Sequence, residues 1–177
     1  MKFLATLLLG SLLFLSPAAA ADLKVGDTAP DFTMTGTDGK TYKLSELNKQ
    51  GKAVILAWFP RADTPGCTKE CQSFKADGAK MRGYDVAYFT ASNDPLENNK
   101  KFAEKLGLDY PILSDPDSSV ASSYGVLNES AKGKAAKRWT FYIGADGKIL
   151  AIDKEIKTDT AGGDVATKLG TLGVKKK

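Results

Sequence analysis

The chain has 177 residues, 25 of them Lys or Arg and 21 Asp or Glu, for a formal charge of +4, with no histidine and only two cysteines, Cys67 and Cys71. Charges of both signs alternate along it apart from Lys175-Lys176-Lys177, so nothing asks for a nucleic acid partner, and the missing histidine excludes Ser-His, Cys-His and His-ligated metal sites within the chain. The two cysteines cannot hold a structural zinc without other donors, and a disulfide closing so small a loop restrains the unfolded chain little, so the pair suggests chemistry more than stapling.

Lys2, an apolar run over residues 3–15 broken only by Thr6, Gly10 and Ser11, and then Ser16-Pro17-Ala18-Ala19-Ala20-Ala21 read as an export signal occupying residues 1–21. The run is shorter than the ~20 residues of a spanning helix, and no later segment is apolar enough to cross a membrane. No cysteine stands at the cleavage site, so no lipid anchor is expected. The export signal points to an extracytoplasmic compartment, best fitted by a bacterial periplasm, with secretion or an organelle lumen as the alternatives. Residues 22–174 are expected to form one domain, long enough to bury a core without disulfides. Residues 175–177 are expected to be a disordered lysine tail.

Within the domain, Asp38-Gly39 is a turn signal inside a hairpin predicted over residues 31–43. A short turn or helical piece follows at 45–48. Residues 53–59, Ala-Val-Ile-Leu-Ala-Trp-Phe, are a continuous apolar run ended by Pro60, which fits a strand buried on both faces. The spacing of Cys71, Phe74 and Gly78 predicts a helix over 68–81, and residues 84–92 read as a second inner strand. Residues 95–106 make an amphipathic helix with Pro95 in its first turn. A short strand at 110–113 and a short helix at 117–124, stopped by Gly125, come next. Residues 128–137 lack a large apolar side chain and read as a surface loop. A second hairpin, 139–145 and 148–155, turns at Asp146-Gly147, and a helix over 165–172 closes the domain. Strand, helix, strand, helix is the order of a βαβ unit, so the fold class is α/β with a central mixed sheet.

The chemistry lies in Pro60-Arg61-Ala62-Asp63-Thr64-Pro65-Gly66-Cys67-Thr68-Lys69-Glu70-Cys71, between a buried strand and the helix after it. Cys67 falls in the first helical turn, where unpaired N–H groups and the positive end of the helix dipole stabilise the thiolate, the reactive form of the thiol. Thr64 stands three residues earlier, able to aim its hydroxyl at the sulfur, and Pro60 can shield it from water. Glu70 either hydrogen-bonds into this site or pairs with a lysine on the helix surface. Arg61 and Lys69 read as solvated charges, and Trp58, Phe59, Trp139 and Phe141 as core or pocket wall.

Pro60, Thr64 and Cys67 reproduce the Pro-x-x-x-Thr-x-x-Cys signature of the peroxiredoxins, and Thr-Pro-Gly-Cys-Thr with a second cysteine soon after resembles the Q-type, bacterioferritin-comigratory-protein-like branch. Gly26-Asp27-x-Ala29-Pro30-Asp31-Phe32, Leu113-Ser114-Asp115-Pro116-Asp117 and Arg138-x-Thr140-Phe141-x-Ile143-x-x-Asp146-Gly147 extend the likeness over essentially the whole mature chain. The resemblance implies a thioredoxin-like fold of the peroxiredoxin type, with an N-terminal β-hairpin and helices flanking the sheet. It also implies a peroxidase that needs no cofactor and acts on hydrogen peroxide or an organic hydroperoxide. In it Cys67 is the peroxidatic cysteine, Thr64 and Arg138 orient the peroxide, Pro60 walls the pocket and Cys71 resolves the Cys67 sulfenic acid to a disulfide. A thioredoxin-like protein is the implied reductant, and the related branch is often monomeric.

The spacing departs from the usual Q-type pattern, which places the second cysteine five positions on rather than four. Side chains four apart on a helix have Cβ atoms roughly 5–6 Å apart, whereas a disulfide wants about 3.5–4.5 Å. The first turn must therefore unwind for the bond to close, and the disulfide is expected to be strained and readily reduced. Two other functions fit the chain less well, although the first of them shares the Cys-x-x-x-Cys spacing. A copper-delivery protein of the cytochrome oxidase assembly kind also needs a histidine, and a protein dithiol–disulfide oxidoreductase carries Cys-x-x-Cys and a proline where this chain has Trp139-Thr140.

Overall fold

The computed structural model describes residues 22–130 and 133–177. The expected export signal lies outside them. Nine strands and six helices follow one another among the described residues: β1 Thr33–Gly36, β2 Thr41–Lys43, α1 Leu44–Lys49, β3 Ala53–Trp58, α2 Pro65–Ala76, α3 Gly78–Arg82, β4 Val86–Ser92, α4 Leu96–Leu106, β5 Ile112–Ser114, α5 Ser119–Ser123, β6 Leu127–Ser130, β7 Gly133–Ala136, β8 Thr140–Ile143, β9 Ile149–Asp153 and α6 Ala161–Thr171. Seven strands make one sheet in the order β2-β1-β5-β4-β3-β8-β9. β3, β4 and β5 run parallel, as the strand–helix alternation requires, while β8 lies antiparallel to β3 and β1 antiparallel to β5. The sheet is thus mixed and flanked by helices, with hairpins at both edges.

β3 sits near the centre of the sheet and is buried along its whole length, which is why its sequence is an unbroken apolar run. Its side chains alternate between two cores. Val54, Leu56 and Trp58 join Leu44 and Leu47 of α1, Val120 and Ala121 of α5, Tyr124 and Phe141. Ile55 and Ala57 meet Phe74 of α2, Met81 of α3 and Val165 and Leu169 of α6 on the other face. A smaller cluster closes one end of the sheet and contains Phe59, Cys67, Cys71, Phe102 and Ile112. Burying both sulfurs there puts the candidate chemistry where α2 and α4 meet the strand ends.

Several expectations need correction. The helix expected over 68–81 starts at Pro65, whose missing N–H costs nothing at the first helical position, and breaks at Asp77, which ends α2 and begins α3. The closing helix starts at Ala161 rather than 165. Its Gly162 lies so close to α2 that an added Cβ would stand 2.3 Å from the Ser73 carbonyl oxygen, and that contact anchors the start of α6. Within the expected loop 128–137, residues 128–130 and 133–136 are strand instead: β6 and β7 form an antiparallel ribbon from Leu127↔Ala136 to Ser130↔Gly133. Backbone pairing makes this ribbon, with Ala136 buried and Leu127 packed on the core at its base, so the small polar residues between carry no alternation to read. The lysine tail is docked. Asp85 N–H donates to Lys175 O at 2.8 Å, Lys177 N–H to Gly83 O at 3.0 Å, and Lys175 pairs with Asp85.

Candidate active site

The loop after β3 is held on both sides before it enters α2. Asp94, just past β4, accepts the Ala62 N–H at 2.8 Å and the Ser92 hydroxyl at 2.9 Å. Asp63 adopts a left-handed backbone, φ 59°, and its carboxylate meets Lys105 of α4 at 2.6 Å. A non-glycine residue in that region is held by its surroundings. The Thr64 hydroxyl donates to the Arg61 carbonyl at 3.0 Å, and Thr64 O accepts the Thr68 N–H at 2.9 Å. Thr64 therefore braces the loop in this conformation rather than aiming its hydroxyl at the sulfur. Pro60, partly buried, begins the loop.

Cys67 occupies the third position of α2, fully buried and free of any disulfide. The helix presents Cys67, Glu70, Cys71 and Phe74 as one buried stripe at the spacing of a helix face. Arg138 reaches this stripe because of the strand pairing. β8 lies antiparallel beside β3, with Thr140 opposite Ala57 and Trp58 N–H bonded to Trp139 O at 2.8 Å, so residue 138 emerges at the end of the sheet where the loop turns into α2. Its Nη2 donates to Cys67 Sγ at 3.2 Å across 71 residues of sequence. Its Nη1 donates to Glu70 Oε2. A guanidinium so placed is a fixed, permanently charged donor, and it would favour the anionic form of the sulfur it faces.

Glu70 answers the question the sequence left open: it is buried and faces the site rather than a surface lysine. Burial pushes its carboxyl up to about 7, against the opposing pull of Arg138. Its second oxygen, Oε1, is buried with no hydrogen-bond partner. Cys71 is equally buried but differently surrounded. Its thiol donates to Thr90 Oγ1 at 4.0 Å, the Tyr110 hydroxyl donates to its backbone carbonyl at 3.1 Å, and burial pushes the thiol up to about 12. A charged residue within an otherwise apolar helical stripe was the available signal for Glu70. Nothing in the pattern marks Thr90 or Tyr110, which read as ordinary residues in or beside buried strands.

Of the residues singled out in the sequence, the structure brings Cys67 and Arg138 into contact, sets Thr64 and Pro60 on the adjoining loop, and places Cys71 one turn along the same helix, in the same apolar cluster as Cys67. Arg61 is exposed, and Lys69 pairs with Asp159 at 3.2 Å on the surface. Trp58, Phe59 and Phe141 are core, whereas Trp139 is only partly buried, with the ammonium groups of Lys137 and Lys154 4.9 and 4.2 Å from its ring centre.

A sequence profile of the AhpC/TSA family matches residues 25–152. The putative peroxiredoxin bcp of Coxiella burnetii is 35% identical over 154 residues, spanning 85% of this chain and 99% of that protein. Among solved structures, peroxidoxin BcpB of Mycobacterium tuberculosis superposes with a TM-score of 0.75 at 36% identity, over 85% of this chain and 97% of that one. The bacterioferritin comigratory protein of Xanthomonas campestris, described for its alkyl peroxide reduction activity, shares the fold with a TM-score of 0.74 at 21% identity, over 85% of this chain and 98% of its own.

Proposed function

Since the chain belongs to the AhpC/TSA family as a Bcp-like, Q-type peroxiredoxin, we propose that its thiol peroxidase chemistry runs from Cys67 to Cys71 in two steps. In the first, the Cys67 thiolate attacks one oxygen of the peroxide. An S–O bond forms, the O–O bond breaks, and the departing oxygen leaves as water or alcohol once protonated. Negative charge moves from sulfur to that oxygen, so a fixed cation beside both atoms is worth more in the transition state than before it. Arg138, 3.2 Å from the sulfur, is that cation, and this contact is the observation that carries the proposal. Thr64 orients the peroxide once its hydroxyl turns from the Arg61 carbonyl, and Pro60 walls the pocket. In the second step Cys71 displaces hydroxide from the Cys67 sulfenic acid, giving a disulfide that an external dithiol reduces.

The substrate class is hydrogen peroxide and organic hydroperoxides, the latter supported by the alkyl peroxide reduction described for the Xanthomonas campestris protein. The reductant is a thioredoxin-like protein. The Lys2-led apolar segment and the alanines at 18–21 support export, with the periplasm as the compartment and residues 22–174 as the working domain. The peroxidase reading is favoured over copper delivery and protein disulfide exchange by the family match and by the guanidinium on the sulfur.

Stopped-flow mixing of the reduced protein with hydrogen peroxide tests the assignment. Cys67→Ser is expected to lose rapid peroxide consumption entirely, while Cys71→Ser reacts once and stops as a sulfenic acid trapped by dimedone. Rapid consumption by Cys67→Ser would sink it.

A further inference from the structure

The polar groups around Cys71 are given no role in the peroxide step proposed above. Thr90 is on β4 and Tyr110 just ahead of β5, and both are buried. The Tyr110 ring is fixed between Phe74 and Tyr88, with centroids 6.0 and 5.5 Å away. A carbonyl inside a helix already has its own amide partner one turn on, so the hydroxyl of Tyr110 on Cys71 O is an additional tie, fastening the helix backbone at residue 71 to the sheet layer. Two residues later the Ser73 hydroxyl accepts the Gly162 N–H at 2.9 Å, at the point where α6 presses closest on α2. Upstream, Ala62 and Asp63 are tied to Asp94 and Lys105. The first turn of α2 and the Thr64 that leads into it therefore lie between two anchored points, tied between them by the side chains of Cys67 and Glu70 on Arg138 and of Lys69 on Asp159, with Cys71 at the far anchored end.

Resting on the reading of Cys71 as the resolving cysteine, we infer that Tyr110 and Thr90 are positioning residues for resolution, holding Cys71 as a stationary nucleophile while residues 64–70 unwind and bring the Cys67 sulfur to it. The step balances within the chain. Cys71 Sγ attacks the Cys67 sulfur of the sulfenic acid, the S–S bond forms and the S–O bond breaks. The released hydroxide takes the Cys71 thiol proton and leaves as water; Cys67 sulfur is reduced, Cys71 sulfur oxidised, and no further reductant enters. Fixing one of the two sulfurs leaves a single segment to search for the reactive geometry, which lowers the entropy lost on reaching it. Until the turn unwinds, burial among apolar walls, which outweighs the opposing pull of the Tyr110 and Thr90 hydroxyls, keeps Cys71 a neutral thiol that does not compete for peroxide.

Tyr110→Phe removes the tie and keeps the ring, Thr90→Val removes the acceptor and keeps the shape, and Thr90→Ser restores it. Each reduced variant is mixed with hydrogen peroxide, following sulfenic acid formation and disulfide formation as separate phases. The disulfide phase is expected to slow about three- to tenfold relative to the first phase in Tyr110→Phe and Thr90→Val, the scale of one ordinary hydrogen bond. Cys67 sulfinic acid, read by mass spectrometry at high peroxide, rises in proportion, and Thr90→Ser returns both readouts to wild type. Disulfide formation as fast as wild type in both Tyr110→Phe and Thr90→Val overturns the inference. A wild-type protein that forms no Cys67–Cys71 disulfide overturns the reading of Cys71 itself, and the inference with it.

Discussion

Cys67 and Cys71 lie one turn apart on α2, both without exposed surface, yet their surroundings are opposite in kind. Cys67 faces the Arg138 guanidinium, whose other arm is held by Glu70, whereas Cys71 has two neutral hydroxyls and apolar walls, and burial pushes its thiol up to about 12. Burial alone therefore does not decide what a buried thiol does. A full charge stands at the first sulfur, whereas at the second the burial that raises the thiol outweighs the two hydroxyls that would lower it.

The largest effect should come from erasing the charge that distinguishes the two. Arg138→Met is expected to lower the rate constant for the first step about 10²–10³-fold, the usual scale for one preorganised charge-stabilising donor. Arg138→Lys should recover only part, because an ammonium lacks the fork that reaches Glu70 and the sulfur together. A rate within threefold of wild type, measured by stopped-flow, would show that the contact is structural only.

Glu70 sharpens the comparison because it lies between the two cysteines on the buried stripe of α2 and bonds the same guanidinium that reaches Cys67. Its carboxyl is raised from 4.5 to about 7, so between those values the folded protein keeps a proton that the unfolded chain has released. Stability from this group is therefore full below about pH 4.5 and falls as pH rises towards 7, by about 3 kcal/mol in all. Urea unfolding at pH 5 and pH 8 should show that loss in the wild type and not in Glu70→Gln, which cannot titrate. An equal slope in both proteins would place the pH dependence elsewhere.

A smaller effect is expected on the anchored side. Gly162→Ala would drive a Cβ to 2.3 Å from the Ser73 carbonyl oxygen, which forces α6 away from α2. Overpacking against backbone of this kind costs about 1–3 kcal/mol. The unfolding midpoint in urea should fall accordingly, and an unchanged midpoint would show that α6 yields without strain.

The central strands and the position of Cys67 were legible because their signals are local: an unbroken apolar run for β3, and proline then glycine just ahead of a helical spacing for the first turn of α2. Arg138 was legible only through the motif it shares with a family, since its reach to Cys67 depends on β8 pairing with β3. Glu70 stayed ambiguous because a carboxylate three residues after a cysteine looks the same on a solvated helix face as on a buried one. Tyr110 and Thr90 were invisible, because their roles arise from two strands meeting one helix carbonyl and one sulfur. The ribbon of β6 and β7 escaped for a related reason, as its pairing is made by backbone and its residues are small and polar.

Trp139 follows Arg138 in the chain and carries an ammonium group over its ring from each of two lysines, while the other tryptophan, Trp58, is sealed in the core. The molecule thus contains one shielded tryptophan and one, partly buried, next to the guanidinium that contacts Cys67. A change at the Arg138–Cys67 contact is therefore expected to register in Trp139 emission above a steadier background from Trp58, readable without a dye.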